Sequence, residues 1–211
     1  TDNQSWNINA TGRMTTPDGK APRVIQVRKN QNRTFWLMNN GEVYAAGENG
    51  NYGLGNSETT DRNYSVRVTA NDTQDWQGNT IGKTFNQTKM VKVGMSDAGH
   101  DSGTSSCFAL GDDGSVWVWG YNNNGQLGLG NPGINNSTDA SGGPTSTAFY
   151  SANVTRPVRL PQSYFDGRQI IDMWTSGSEE AWFHALDEHG QLWAWGHNQH
   201  GELGVGNRNG S

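Results

Sequence analysis

The chain has 211 residues, of which only 17% are charged, and a formal net charge of −5. That acidic balance argues against a broad phosphate-binding face. Nine tryptophans alongside so little charge argue against disorder, and no run of about 18 apolar residues exists that would span a membrane as a helix.

Glycine is abundant at 29 residues, while hydrophobic residues make up 32%. The composition predicts a folded, turn-rich, all-β protein with a thin core and a polar surface of Asn, Ser and Thr. The lone Cys107 excludes an internal disulfide, and its neighbours Phe108, Ala109 and Leu110 mark it as a buried small hydrophobe rather than a catalytic thiol. The sequence opens at Thr1 without a signal-peptide pattern, as expected of a processed or incompletely represented polypeptide.

Residues 1–22 form a polar N-terminal segment broken by Gly12, Pro17, Gly19 and Pro22, with one short strand expected near Trp6 to Ile8. Three similar units follow. In the first, β-rich runs at 24–27 and 34–37 lead through the hairpin turn Asn39-Asn40-Gly41 to a strand at 42–46. A glycine-rich turn from Gly47 to Asn56 comes next, and then a fourth strand at 65–69. The second unit repeats the order at 90–93, 107–110, 116–119 and 154–160, where Pro157 requires an edge strand. The third unit has runs at 169–174, 183–186 and 192–195 and stops before a fourth.

The register is regular. Gly41, Gly114 and Gly190 each precede Gly47, Gly120 and Gly196 by six residues, and the latter glycines stand 73 and 76 residues apart. Such a period signals a repeat architecture, and four short strands per repeat with glycine and aromatic motifs signal β-propeller blades. Val116-Trp117-Val118-Trp119 is apolar at every position, as a strand must be when both faces of its sheet are covered. The expected organisation is blade 1 over 23–70, an insertion at 71–88, blade 2 over 89–161 with an inner insertion at 132–153, and an incomplete blade 3 over 162–211.

The motif residues are Trp117, Trp119, Gly120, Gly128 and Gly130 in the second unit and Trp193, Trp195, Gly196, Gly204 and Gly206 in the third. Asn122 and Asn198 keep one place, and Glu202 stands where the second unit has Gln126. The first unit is a shortened copy with Gly47 and Gly55, and with Ala46 where tryptophan is expected. These residues resemble the repeats of the regulator of chromosome condensation family. The resemblance implies a propeller that is usually seven-bladed. Three blades do not close a ring, so the chain is expected either to be part of a longer protein or to associate with further copies.

Long polar insertions on a rigid scaffold are where binding function usually lies, although they also occur as plain decoration. The candidate binding residues there are Trp76, Phe85, Phe149 and Tyr150, aromatics on which a glycan would stack. Chemistry is sparse elsewhere. His197, His200 and Glu202 sit at variable turn tips and read as surface residues rather than metal ligands, and His184 reads as a packed, hydrogen-bonded core histidine. The carboxylate pairs Asp112-Asp113 and Glu179-Glu180 read as solvated turns. Arg23, Arg28, Lys29 and Arg33 form at most a local basic patch. Sequons at Asn9, Asn32, Asn63, Asn71, Asn86 and Asn153 offer glycan acceptors if the chain is secreted in a eukaryote.

The sequence therefore predicts no catalytic residue, cofactor, metal site or membrane insertion, and no nucleic-acid partner. It predicts a non-catalytic interaction or structural module on an outer surface, extracellular or on a virion, with a protein or glycan partner. The family's namesake is an exchange factor for a small GTPase, and the resemblance makes that the alternative. A secreted enzyme inhibitor is a weaker one. The wedge that the exchange activity requires has no match among these residues.

Overall fold

The computed structural model describes residues 23–97, 103–130 and 152–208, together with the backbone of two short strands, β1 (Asn7–Ile8) and β2 (Met14–Thr15), which pair antiparallel. Three antiparallel meanders follow. The first is β3 (Val24–Lys29), β4 (Arg33–Met38), β5 (Val43–Gly47) and β6 (Arg62–Arg67). The second is β7 (Met90–Met95), β8 (Ser106–Gly111), β9 (Val116–Gly120) and β10 (Val154–Arg159). The third has three strands among the described residues: β11 (Ile170–Ser176), β12 (Trp182–Asp187) and β13 (Leu192–Gly196). Helical backbone there is limited to short 3-10 turns. The protein is all-β, and its sheets are propeller blades set side by side.

The hairpins form where asparagine, aspartate or histidine precedes a glycine that takes positive φ: 88° at Gly41, 75° at Gly114 and 84° at Gly190. One strand is displaced from its sequence expectation. β6 starts at Arg62, three residues early, where Asn63 and Tyr64 are exposed on an outer edge and form no apolar run. The expected run at 65–69 caught the half of the segment that Ser65 and Val68 bury. Pro157 sits on the outer edge strand β10, within a register skip between Val154 and Val158, so its missing N–H costs no ladder bond.

The core is a continuous layer between sheets. Every residue of β9 is buried, with Trp117, Val118 and Trp119 at 0% exposure. Trp119 meets Phe35 of the first sheet edge-on at 5.7 Å, and Phe183 of the third sheet stacks on Trp195 at 5.4 Å. Edge-to-face and offset pairs of this kind suit the ring quadrupoles and add about 0.5–1.5 kcal/mol each beyond the area they bury.

The first strands β3, β7 and β11 neighbour one another on the inner side. Each carries a bulge at the same register: between Val24 and Gln26, between Met90 and Lys92, and between Ile170 and Asp172. The residue after each bulge stitches the blades together. Gln26 Oε1 accepts a hydrogen bond from the Val93 amide at 2.9 Å, and Lys92 pairs with Asp172.

Candidate functional site

The repeat motif builds the seams between blades. Asn49, Asn122 and Asn198 are all buried, and each uses Oδ1 to accept the amide five residues on: Leu54 at 2.9 Å, Leu127 at 2.9 Å and Leu203 at 3.0 Å. This single side chain closes each glycine turn by satisfying an amide that no strand partner reaches. Gly47, Gly120 and Gly196 end the third strands at φ of 112°, 94° and 104°. They press on the chain entering the second strand: a Cβ would lie 2.1 Å from the Asn32 carbonyl, 2.5 Å from that of Ser105 and 2.6 Å from that of Ala181.

The second glycine of the motif receives the next blade. A Cβ on Gly55 would lie 2.8 Å from Trp119 Nε1, and one on Gly128 would lie 2.5 Å from Trp195 Cδ1. Gly204 takes the same backbone conformation, with φ of 68°, but has no heavy atom within 4 Å of that point. Gly114 likewise abuts Gln169 and Ile170, whereas Gly190 faces open space. A Cβ on Gly130 would lie 3.4 Å from the Tyr164 hydroxyl, and one on Gly206 would have nothing within 4 Å. Trp117 and Trp193 each donate Nε1 within their own blade, to Ser115 Oγ at 2.9 Å and to Asp187 Oδ2 at 3.1 Å.

Asp187 was not singled out by sequence, because a carboxylate at a strand end reads as a turn residue. It is fully buried and accepts hydrogen bonds from the amides of His189 and Gln191, from Trp193 Nε1 and from Arg168 Nη1. Burial pushes this carboxyl up, but the donors from Gln191, Arg168, Trp193 and His189 outweigh it and bring the group down from 3.8 to about 2. A pKa lower in the folded state favours folding above the unfolded value. That contribution is lost as pH falls from about 4 towards 2. The expected result is an acid-unfolding curve that loses part of its dependence in that window in Asp187→Asn, followed by intrinsic fluorescence against pH.

Arg33 is another buried charge, 2% exposed, and it donates Nε to the Glu48 carbonyl at 2.8 Å. Of the four cations close in sequence, Arg33 is therefore neither a solvated charge nor part of a displayed patch but is packed under Gly53. Cys107, at 0% exposure, has its thiol pushed up to about 12 by burial, against the opposing pull of Arg33. A thiol reagent at pH 8 is expected to leave the folded protein unlabelled and to react stoichiometrically in denaturant, as read by intact mass.

His200 is exposed at its turn tip as expected, but His197 and His184 are placed differently from expectation. His197 is only 11% exposed and lies with Nε2 3.4 Å from Glu180 and Nδ1 3.3 Å from Glu202. His184 is half-buried on β12, and its side chain makes no hydrogen bond among the described residues. No group of three or more His, Cys, Asp or Glu residues among the described residues is arranged to hold a metal ion. Asp113 caps its own turn, accepting from the Ser115 amide at 3.1 Å.

The insertion at 71–88 is an ordered hairpin laid along β10. Gln74 bridges Thr80, the Ile81 amide donates to the Thr73 carbonyl at 2.9 Å, and the Trp76 amide donates to the Arg159 carbonyl at 2.9 Å. Asp75 holds the tip by accepting from the amides of Gln77 and Asn79. Phe85 is not on the surface. It is 3% exposed and packs edge-on against Trp117 at 5.4 Å, so the stacking platform expected of it is core instead. Trp76 is half-buried, packed against the core on one side and lining a cavity of about 410 Å³ on the other. Phe149 and Tyr150 lie outside the described residues. Of the sequons at 32, 63, 71, 86 and 153, only Asn63 and Asn71 are exposed.

These blades and seams define a β-propeller, and its repeats are similar to those of the regulator of chromosome condensation type. Residues 113–166 match the model of the regulator of chromosome condensation (RCC1) repeat. The chain is 33% identical over 108 residues to the ultraviolet-B receptor UVR8 of Arabidopsis thaliana, covering 50% of this chain and 19% of that protein. It is 25% identical over 219 residues to the human E3 ubiquitin-protein ligase HERC2, covering 89% of this chain and 4% of that one. Among solved structures, human WBSCR16 superposes with a TM-score of 0.59 at 16% identity, and Prp20p of Saccharomyces cerevisiae with 0.57 at 15%. Each superposition covers 89% of this chain and 36% of the other. The chain thus spans a fifth or less of these two curated relatives.

Proposed function

We propose that the chain is a non-catalytic recognition module displayed on an outer surface, where its blades hold a protein or glycan partner on inserted loops. The observation that carries this reading is the 71–88 hairpin: it is pinned to an outer strand and offers a cavity that the repeat scaffold itself does not need. The motif side chains are engaged in holding blades together, which supports a role without catalysis. The open ground at Gly190 and Gly204 supports a further blade seated there, from a longer parent chain or from a second copy.

The structure of Prp20p was described together with its binding to Gsp1p and histones. Exchange activity on a small GTPase is therefore the alternative. Two measurements separate the readings. Membrane-impermeant biotinylation of the intact source is expected to label the protein, and the protein is expected to leave GDP release from small GTPases unchanged. Protection from the label, or accelerated release, would overturn the proposal.

A further inference from the structure

We propose that the cavity between the 71–88 hairpin and β10 is a binding site for a neutral saccharide. The proposal rests on the reading of the chain as a recognition module and names the ligand class.

The volume of about 410 Å³ falls within the ~300–1,000 Å³ of small-ligand sites. The floor is apolar. Trp76 and Val158 line it, and both pack against the core from behind, so the floor is rigid. One wall is the pair Asp72–Arg156, joined by two parallel hydrogen bonds: Nε to Oδ2 at 2.8 Å and Nη2 to Oδ1 at 2.9 Å. Such a pair is planar and self-neutralised. The other acidic lining residue, Asp75, is committed to its own turn through Gln77 and Asn79. Asp75 has no cationic partner among the described ion pairs, so the lining keeps one negative charge, held by neutral donors in its own turn, and disfavours an anionic ligand.

Hydrogen-bonding capacity is offered instead. The side chains of Thr73 and Gln74 are exposed and make no hydrogen bond among the described residues, and Arg156 Nη1 is outside the pair with Asp72. An indole face beside hydroxyl, amide and guanidinium donors is complementary to a pyranose. The sugar's C–H face is weakly positive and sits on the negative face of the ring, while its hydroxyls meet the polar rim. A protein partner would be expected to find exposed apolar anchors, and none of the exposed large hydrophobic residues lies in 71–88.

The test is saturation-transfer NMR and titration with the methyl glycosides of glucose, galactose, mannose and N-acetylglucosamine, on protein made without glycosylation so that Asn71 is bare. At least one is expected to bind with Kd on the order of 1 mM, ordinary for one sugar ring, with saturation strongest on ring protons. Trp76→Ala is expected to weaken binding at least tenfold. Because Trp76 also packs on the core, Thr73→Ala/Gln74→Ala serves as the second variant. It is expected to weaken binding several-fold with an unchanged melting temperature. No binding by any of the four, or binding that survives both variants, overturns the site. That failure leaves the broader module reading standing, since surface labelling and nucleotide release decide it separately.

Discussion

Replacing Trp119 with alanine is expected to lower the unfolding free energy by about 3–5 kcal/mol, the range for removing a fully buried large aromatic. The residue is at 0% exposure and touches three parts of the molecule at once. Its ring meets Phe35 of the first blade and Phe85 of the insertion, at 5.7 and 6.2 Å, and its Nε1 donates to the Gly53 carbonyl at 3.2 Å. Alanine would remove the aromatic area, leave that carbonyl with only the weak Cys107 thiol donor at 3.6 Å and open a cavity that glycine-lined turns collapse around poorly. Trp119→Phe keeps most of the area and loses the donor, so about 1–3 kcal/mol is expected. Equilibrium urea unfolding followed by circular dichroism checks both. An alanine variant within about 1 kcal/mol of the parent would show that the blades do not depend on this seam.

The second large effect is expected at Gly128, with Gly204 as its built-in comparison. The two occupy the same motif position at φ of 70° and 68°, so an alanine meets the same left-handed backbone penalty, about 1–2 kcal/mol, at either. Only Gly128 has a neighbour in the way, with Trp195 Cδ1 2.5 Å from the added methyl. Overpacking there adds about 1–3 kcal/mol. Gly128→Ala should therefore destabilise by about 2–5 kcal/mol, and Gly204→Ala by about 1–2, in the same unfolding assay. Equal effects would mean that the backbone conformation, and not the packing of the next blade, is what requires glycine.

The blades were legible in the sequence because their inner strands are covered on both faces. A strand such as β9 cannot carry a polar residue without burying it unpaired, so its composition reports its environment directly. The turns were legible for a similar reason: positive φ narrows the choice to glycine with an asparagine or aspartate beside it. What sequence missed lies where a residue's burial depends on a distant partner. Phe85 sits among polar neighbours in an insertion, and nothing local says that Trp117 and Trp119 cover it. Arg33 and Asp187 look like surface charges until the carbonyls and donors around them are assembled in space. The cavity beside Trp76 was half legible. The aromatic was singled out, but the Asp72–Arg156 wall joins residues 84 apart in the chain, and no spacing rule connects them.

The bulges of β3, β7 and β11 bear on how such a protein changes over time. Ile25, Val91 and Ile171 are each skipped by the ladder, and each is about half exposed, at 56%, 45% and 56%. Their side chains carry no duty in pairing and none in the seams. A mutation at any of them costs the scaffold little, so the inner wall can be rewritten one residue per blade, in aliphatic, charged or aromatic chemistry, while the architecture around it stays fixed. The same interruption that weakens each inner strand thus leaves each blade one position where new specificity can be tried without first being stabilised elsewhere.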